Sequence, residues 1–512
     1  MYICRMNLNR TDFDVIILGG GITGAGTARD CAMRGLKVLL IEKGDISEGA
    51  TGRNHGLLHS GARYAVNDRE SAEECIKENR ILKFIAPHSV EDTSGLFVTL
   101  PEDDLGYQDI FIRSCLEAGI DAEVMDPAQA LAEEPSVNPD IIGAVRVPDG
   151  AVDPFKLCAA NILDARLHGT VVLKYHEVSS FIKSGTSIIG VNVRDLATGE
   201  MHSFCAPVTV NACGIWGQKM VRLAGAELGM FPAKGSMLIY ARRVNRMAIN
   251  RCRKPANADI LVPGGPVCVI GTTSSRVPFE ECDRPVVTPE EVDELMREGE
   301  KLAPSLAGTR ILRAYAGVRP LVSMDNDPSG RNVSRGFVCI DHDSRDGIGG
   351  FITIAGGKLT SYRMMAEKTS DLVCAKLGVD RKCLTGITIL PDPSRKEIRE
   401  EYNGSLVCEC EKITDQELRD YVTRDGVDRL SGFRRRSRFG MGVCQGILCA
   451  CRASAILAEE KGGSEEAVSD LKKFMCERWK GLQPIAWGDT LRESERVQWI
   501  DSEILGLNGN ER

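Results

Sequence analysis

The sequence predicts an α/β fold in three parts. These are a domain built on a parallel sheet, a mixed or antiparallel sheet covering one face of it, and a small helical C-terminal domain. Three observations carry that expectation. The stretch "DFDVIILGGGITGAGTARDCAMRGLKVLLIEKGD" reads as strand, glycine turn, helix, strand. From about Val145 to Ile354, strand-like runs such as "IIGVNVRD", "SMLIYA" and "VCVIGTT" alternate with turns. Near the C-terminus, Cys408, Cys410, Cys444 and Cys449 stand at ligand-like spacing.

The bulk numbers agree with a large globular chain. Its 512 residues suffice for two or three domains. Hydrophobic residues make up 43% and charged residues 27%, as in ordinary soluble domains. A net charge of -8 argues against nucleic acid or an anionic membrane as a partner. The sequence contains no run of 18 apolar residues. The polar start "MYICRMNLNRTDFDV" lacks the apolar core of a secretory signal, so a cytoplasmic protein is expected. In that compartment the 19 cysteines are not expected to form structural disulfides. Cys31, Cys115, Cys158 and Cys213 sit singly on apolar segments and read as small buried hydrophobes.

Each part of the N-terminal unit has a physical task. Val15 to Leu18 form the strand, and Gly19, Gly21 and Gly24 give G-x-G-x-x-G. The first glycine permits the tight turn, the second lets backbone approach a pyrophosphate, and the third allows helix and strand to pack closely. A helix over Ala25 to Met33 offers its N-terminal N–H groups to phosphate, and Gly35 ends it. A second strand, Lys37 to Ile41, carries Glu42 at its tip, placed to accept from ribose hydroxyls. The next loop, "EGATGRNHGLLHSGARY", is rich in small residues and holds Arg53, His55, His59 and Arg63. It suits a long cofactor in an extended groove, which favours FAD over exchangeable NAD.

The middle of the chain contains one clear helix. Thr288 is its N-cap, Pro289 its first residue and Glu291 the third residue of a capping box. Val292, Leu295, Met296 and Leu302 form its apolar stripe. Two apolar strands return toward the cofactor, one turning at Gly214 and one at Gly356 and Gly357. A substrate pocket between the two layers is expected.

At the C-terminus, Cys408-x-Cys410 and Cys444-x4-Cys449 differ from the C-x-x-C knuckles usual for structural zinc. The spacing is similar to the [2Fe-2S] domain of bacterioferritin-associated ferredoxin, with zinc as the second reading. Thr414 and Glu417 give a capping box after Cys410, and Cys449 stands near the start of another helix. Arg434, Arg435, Arg436 and Arg438 are expected to offset the cluster's negative charge, with Cys451 a spare. The expected boundaries are 1–395 for the oxidoreductase, 396–405 for a linker, 406–460 for the cluster domain and 461–512 for a helical tail. Within the first unit, 12–65, 150–220 and 340–378 would bind nucleotide, and 220–340 would form the substrate sheet. Trp479, Trp487 and Trp499 could give the tail a docking face.

The segments "GGGITGAGTARD", "GATGRNHGLLHSGARYAV", "PDGAVDPFKL", "PAKGSML", "GVRPLV", "NVSRGFV" and "GGKLTSYRMMAE" together resemble the FAD-dependent glycerol-3-phosphate dehydrogenases, on the anaerobic side of that family. The resemblance implies a glucose-oxidase-like FAD-binding Rossmann domain. It implies oxidation of sn-glycerol 3-phosphate to dihydroxyacetone phosphate at FAD. Electrons would then pass through a [2Fe-2S] cluster and two partners to a quinone. Those partners would be a membrane iron–sulfur anchor and a second flavin subunit. The protein would lie on the inner face of the membrane through them. Matching motifs assign His59, Arg63, Tyr64, Arg319, Arg335, Lys358 and Thr360 to catalysis. Lys43, Thr51 and Val178 join Gly19, Gly21, Gly24, Glu42, Gly214, Gly356 and Gly357 as expected FAD contacts. Aerobic relatives carry histidine where this chain has Met237.

The chemistry is coherent with that resemblance. Arginines suit a phosphate dianion, and His59 is the candidate base for the hydroxyl proton. A cluster passes single electrons onward after a flavin has taken two. A flavin dehydrogenase acting on a 2-hydroxy acid or amino acid remains the alternative, because the same cations would hold a carboxylate.

Overall fold

A computed structural model describes residues 13–322, 336–394, 404–504 and 506–507. Arg335, most of the expected 396–405 linker and the first 12 residues lie outside them. Six strands form the first sheet, in the order Phe337–Asp341, Phe351–Gly356, Val208–Asn211, Val15–Leu18, Val38–Ile41, Val171–Leu173. All neighbours are parallel except the edge strand Phe337–Asp341. Strand alternation divides the side chains between two cores. Val15, Ile17, Val38 and Leu40 pack under the helices Ile22–Met33, Pro154–Leu167 and Tyr362–Leu377. Ile16, Leu18, Leu39 and Ile41 pack on the opposite face against Val191, Val193 and Phe204. Those three belong to a separate antiparallel meander, His176–Ser184, Ser187–Asp195 and Met201–Cys205. The runs expected to join the covering sheet therefore split. "TVVL" and "GFVCID" extend the parallel sheet, and "IIGVNVRD" builds the meander.

The covering sheet has nine strands centred on Met230–Tyr240, which pairs with Val267–Gly271, Ser275–Arg276 and the long strand Ile311–Val322. It is wider than 220–340. Gly95–Thr99, Glu123–Met125 and Gly143–Val147 complete one end. The helix Pro289–Leu302 covers it through Val292, Leu295 and Leu302, and the Thr288/Glu291 capping box forms as read.

The C-terminal module is a hairpin, Leu406–Cys408 with Ile413–Thr414, followed by helices Asp415–Asp425, Leu430–Ser437 and Cys449–Lys461. The Thr414/Glu417 capping box also forms. The tail is not a separate appendage. Helix Ser464–Leu482 gives Leu471 and Phe474 to the core of the module, while Leu482 and Ile485 enter the core of the covering sheet. No disulfide joins any of the described cysteines. Cys31, Cys115 and Cys158 are buried, whereas Cys213 is only half-buried.

Three of the four arginines are taken up by carboxylates. Arg436 makes a two-pronged ion pair with Asp45, both contacts 2.9 Å, in the loop after strand Val38–Ile41. Arg435 reaches Glu48 at 3.0 Å, and Arg438 reaches Glu411 at 3.1 Å and Asp153 at 3.3 Å. Their charge fastens the module to the nucleotide domain, because burial leaves Asp45 no water to pair with. Arg434 is the exception: it lies half-buried over the Phe474 ring, with no carboxylate of the described residues at salt-bridge distance.

Burial alone would raise the Asp45 carboxyl, but Arg436, Lys174 and Arg435 hold it well below the usual carboxylate range. Asp45→Ala leaves Arg436 buried without its partner. It should cost about 3–5 kcal/mol and loosen the module, read as a lower melting temperature and new protease cleavage. The folded carboxyl titrates below its unfolded value of about 3.9. The stabilisation is therefore complete above that value and lost as pH falls through the folded one. Acid melting curves of wild type and variant should accordingly converge. Equal stability of the two proteins at neutral pH would remove this pair as the fastening.

Candidate functional site

One elongated cavity of about 1530 Å³ runs along the C-terminal edge of the parallel sheet and under the covering sheet. Gly19 and Gly21 lie on its floor, Glu42 and Lys43 at one end, and Gly214, Gly356, Gly357 and Lys358 further along. Thr51, His59, Arg63, Tyr64, Val178 and Arg319 also line it. The structure thus brings together most of the residues singled out from sequence. Gly24 and Thr360 stand behind the wall.

The glycine turn explains how the floor is made. Gly19 has φ +108°, and an added Cβ would stand 2.7 Å from the Ala212 carbonyl oxygen. A Cβ on Gly24 would run into the Gly19 carbonyl oxygen, so this position sets how closely helix and strand approach. Gly21 is the N-cap of helix Ile22–Met33, and the Ile22 N–H donates to Thr51 Oγ1 at 3.0 Å. At the end of the second strand, Glu42 accepts from the Gly20 N–H at 2.6 Å and the Gly44 N–H at 2.7 Å. Burial pushes its carboxyl up, against those two donors. Lys43 is 68% exposed and pairs with Glu177 at 2.8 Å, so it borders the cleft without entering it.

The other end is cationic and more heavily braced than the sequence implied. Arg319 donates to the carbonyl oxygens of Lys234 and Thr273 and to Thr272 Oγ1. Gly235 is needed beside it, since a Cβ there would meet the guanidinium at 2.6 Å. Arg63 donates to Asp259 at 2.8 Å and to the Ala256 carbonyl oxygen at 3.3 Å, so much of its charge is already balanced. Lys358 Nζ lies 5.3 Å over the Tyr64 ring. Lys254, exposed at the cleft mouth, adds a cation that no motif marked. Met237 is buried in the wall, where it can neither give nor take a proton.

Two histidines sit side by side. The His59 ring lies 5.3 Å from Tyr64 and 5.8 Å from His55. The His59 backbone N–H donates to Thr360 Oγ1 at 3.3 Å, which makes Thr360 a positioning residue. His55 is pushed down to about 3, first by burial and then by Arg319 and Arg63, so it is neutral. Its Nδ1 accepts from the Leu57 N–H at 3.1 Å, which places the proton on Nε2. His55 can therefore donate a hydrogen bond but not take a proton there. The sequence marks His55 without separating its role from that of His59.

In the module, Cys408 and Cys410 on the hairpin, Cys444 in the turn that follows Leu430–Ser437 and Cys449 at the start of helix Cys449–Lys461 form a chain of sulfur contacts, Cys408 and Cys444 each with Cys449 and Cys410 with Cys444. Cys408 is drawn down to about 7 and Cys444 to about 5, chiefly by hydrogen bonds from Cys449, whose own thiol is pushed up. Backbone N–H groups of Gly440 and Glu411 favour the Cys408 thiolate, and those of Gly446 and Leu448 the Cys444 thiolate. A set of soft donors with N–H groups turned toward sulfur fits an iron–sulfur cluster. Gly442 is pressed against Cys410, leaving no room for a Cβ. Cys451 packs at the edge of the module's core.

Three half-buried arginines stand near one another beside the cleft. Arg53 lines the cleft, Arg313 donates to the Glu477 carbonyl oxygen at 3.3 Å, and Arg434 stands over Phe474 at 5.8 Å. All three are pushed down, first by burial, with Arg434 falling to about 9. Phe474 in turn lies against Gly440 and Gly446, close in sequence to Cys444.

This fold and cleft define a dinucleotide-dependent oxidoreductase with a thiolate cage attached. A family model described as FAD dependent oxidoreductase matches residues 14–363, and one described as BFD-like [2Fe-2S] binding domain matches 406–459. The cofactors are accordingly FAD and a [2Fe-2S] cluster. The anaerobic glycerol-3-phosphate dehydrogenase A subunit of Escherichia coli is 56% identical over 530 residues, covering 98% of each chain. Its counterpart in Haemophilus influenzae is 54% identical, covering 98% of this chain and 95% of its own. This chain belongs to the family of anaerobic glycerol-3-phosphate dehydrogenase A subunits. In fold, it matches the glycerol-3-phosphate dehydrogenase of Bacillus halodurans, solved with FAD, at a TM-score of 0.68 and 23% identity, covering 93% of this chain and 97% of that one.

Gly24→Ala should abolish FAD retention, because the new methyl group meets backbone, which cannot rotate away as a side chain can. Flavin released by heat from the purified variant should fall below about a tenth of wild type, an affinity loss of about 1.4 kcal/mol or more. Full flavin content would show that the turn has another way to close.

Proposed function

We propose that the protein oxidises sn-glycerol 3-phosphate to dihydroxyacetone phosphate and passes the electrons through its cluster to partner subunits and a membrane quinone. The observation that supports this most directly is the pairing of a cationic pocket with a histidine in one cleft: Arg319, Lys358 and Lys254 around His59. FAD, when bound, supplies the acceptor for a hydride from C2. Arg319, fixed by hydrogen bonds to the Lys234 and Thr273 carbonyl oxygens, presents its guanidinium to the phosphate, with Lys358 and Arg63 beside it. Arg335 is assigned to the same site by motif alone.

His59 takes the C2 hydroxyl proton. His55, neutral and protonated on Nε2, donates a hydrogen bond that holds the substrate oxygen. Tyr64 and Thr360 fix the His59 ring and backbone. Glu42 holds ribose hydroxyls, and the Gly21 helix end holds the pyrophosphate. Thr51, Val178, Gly214, Gly356 and Gly357 border the rest of the cofactor.

Cys408, Cys410, Cys444 and Cys449 hold the cluster. Partner contact is supported by Leu406, Val443 and Leu448, exposed near the cage, and by the exposed Trp479, Trp487 and Trp499. No helix among the described residues is long and apolar enough to cross a membrane, so attachment to the cytoplasmic face of the membrane would come through partners.

Glycerol 3-phosphate added anaerobically should bleach the flavin, whereas 2-hydroxy acids and amino acids should not. In His59→Asn the bleaching should slow by about 10²–10⁴-fold. Stopped-flow reduction at wild-type speed would exclude His59 as the base, and bleaching by a 2-hydroxy acid would favour the alternative enzyme. Cys444→Ser with Cys449→Ser should lose the cluster's visible absorption yet still reduce a soluble dye. Quinone reduction in the reconstituted complex should collapse. Wild-type quinone reduction by that cluster-free variant would make the module structural only.

A further inference from the structure

The meander on the back of the nucleotide sheet gathers three ligand-type residues that the redox chemistry does not use. His176 stands opposite Asp195 across one strand pair, and His202 stands opposite Val193 across the next. Alternation puts positions 193 and 195 on the same face, so His176, Asp195 and His202 point to the same side. One nitrogen of each ring and one carboxylate oxygen lie within 4.8 Å of one another. The rings are 6.1 Å apart between centroids.

The surroundings orient these groups. His176 Nδ1 lies 2.7 Å from the Lys174 carbonyl oxygen. A ring nitrogen facing a carbonyl carries the proton, so Nε2 keeps its lone pair. This outer contact is the kind that fixes a metal-binding imidazole. Asp195 is also held, with Oδ1 accepting from the Ala197 N–H at 2.7 Å and the Thr198 N–H at 3.4 Å. His202 is half-buried, its ring 6.5 Å from Phe204, and Glu200 lies 4.0 Å from its Nε2.

We propose that His176, Asp195 and His202 form a binding site for a divalent transition ion of the zinc class. Two imidazoles and one carboxylate, with water completing the shell, suit Zn²⁺ and its neighbours. Mg²⁺ and Ca²⁺ prefer all-oxygen sites. The site lies against the cofactor cleft. The His176 N–H donates to the Glu42 carbonyl oxygen at 2.9 Å, and His176 and Val178 line the cavity. An ion here joins all three strands of the meander and braces the wall at the Glu42 end, which should slow loss of FAD.

The test uses the protein loaded with FAD and cluster under anaerobic conditions, so that the cage cysteines are already committed. Equilibration against buffered Zn²⁺, followed by elemental analysis, should give one more bound zinc in wild type than in His202→Ala, with affinity at least tenfold weaker in the variant. Asp195→Asn, which keeps the side chain's shape, should also weaken zinc. Zinc should raise the melting temperature and slow FAD dissociation in wild type, with little effect in either variant. Should His202→Ala fail to hold FAD, the Asp195→Asn comparison decides. Equal zinc binding by wild type and a folded variant would overturn the proposal. Displacement of the zinc by millimolar Mg²⁺ would also overturn it, since that marks a nonspecific cation patch.

Discussion

The pair formed by Asp45 and Arg436 holds the two working halves of this molecule together. A carboxylate with no exposed surface cannot be left to itself, and its removal from water is offset chiefly by the guanidinium lying across both oxygens, with Lys174 and Arg435 adding charge. Asp45 follows the second strand by four residues, three beyond Glu42. The same short loop therefore serves the proposed ribose contact and the attachment of the cysteine module. Arg435 on Glu48 and Arg438 on Asp153 extend the contact on either side. The module is thus built onto the nucleotide domain rather than placed beside it.

The cleft has a similar economy of placement. Gly317 stands in the long strand Ile311–Val322, where a Cβ would run into the Arg53 backbone, so the covering sheet closes directly on the cofactor loop. Two residues further, Arg319 reaches into the cavity from that strand. Rigid strands, not mobile loops, thereby carry Arg319 and Met237, while the 53–64 loop supplies the histidines. In the proposed reaction, such a division would keep charge recognition fixed and leave the proposed proton-handling groups on backbone with sharper turns.

Much of this was legible in the sequence, for definite reasons. The G-x-G-x-x-G turn and both capping boxes depend on residues close in the chain, and local chemistry determines them. What was missed depends on long-range contact. Nothing in "FRRRSRFG" reveals that Arg436 faces Asp45, 391 residues away, instead of the cage. Strands 95–99, 123–125 and 143–147 were not assigned to the covering sheet because pairing partners cannot be read from alternation alone. The charge balance on Arg63 was hidden for the same reason, since Asp259 lies 196 residues on. Zinc as the cage's second reading gave way to the [2Fe-2S] match over 406–459.

The ion pairs that clamp the module have a further consequence for the proposed relay. A carrier domain on a loose tether delivers electrons by swinging between docking sites, and its rate then follows solvent viscosity. Here the helix Ser464–Leu482 packs on the module at Leu471 and Phe474 and ends in the core of the covering sheet at Leu482, and the module's arginines are locked into the cofactor loop. In the proposed relay, donor and acceptor would thus be held at a constant gap, with Arg53, Arg313 and Arg434 supplying positive charge nearby. Tunnelling across a fixed barrier depends on distance and driving force, so the proposed internal step would behave like conduction through a solid.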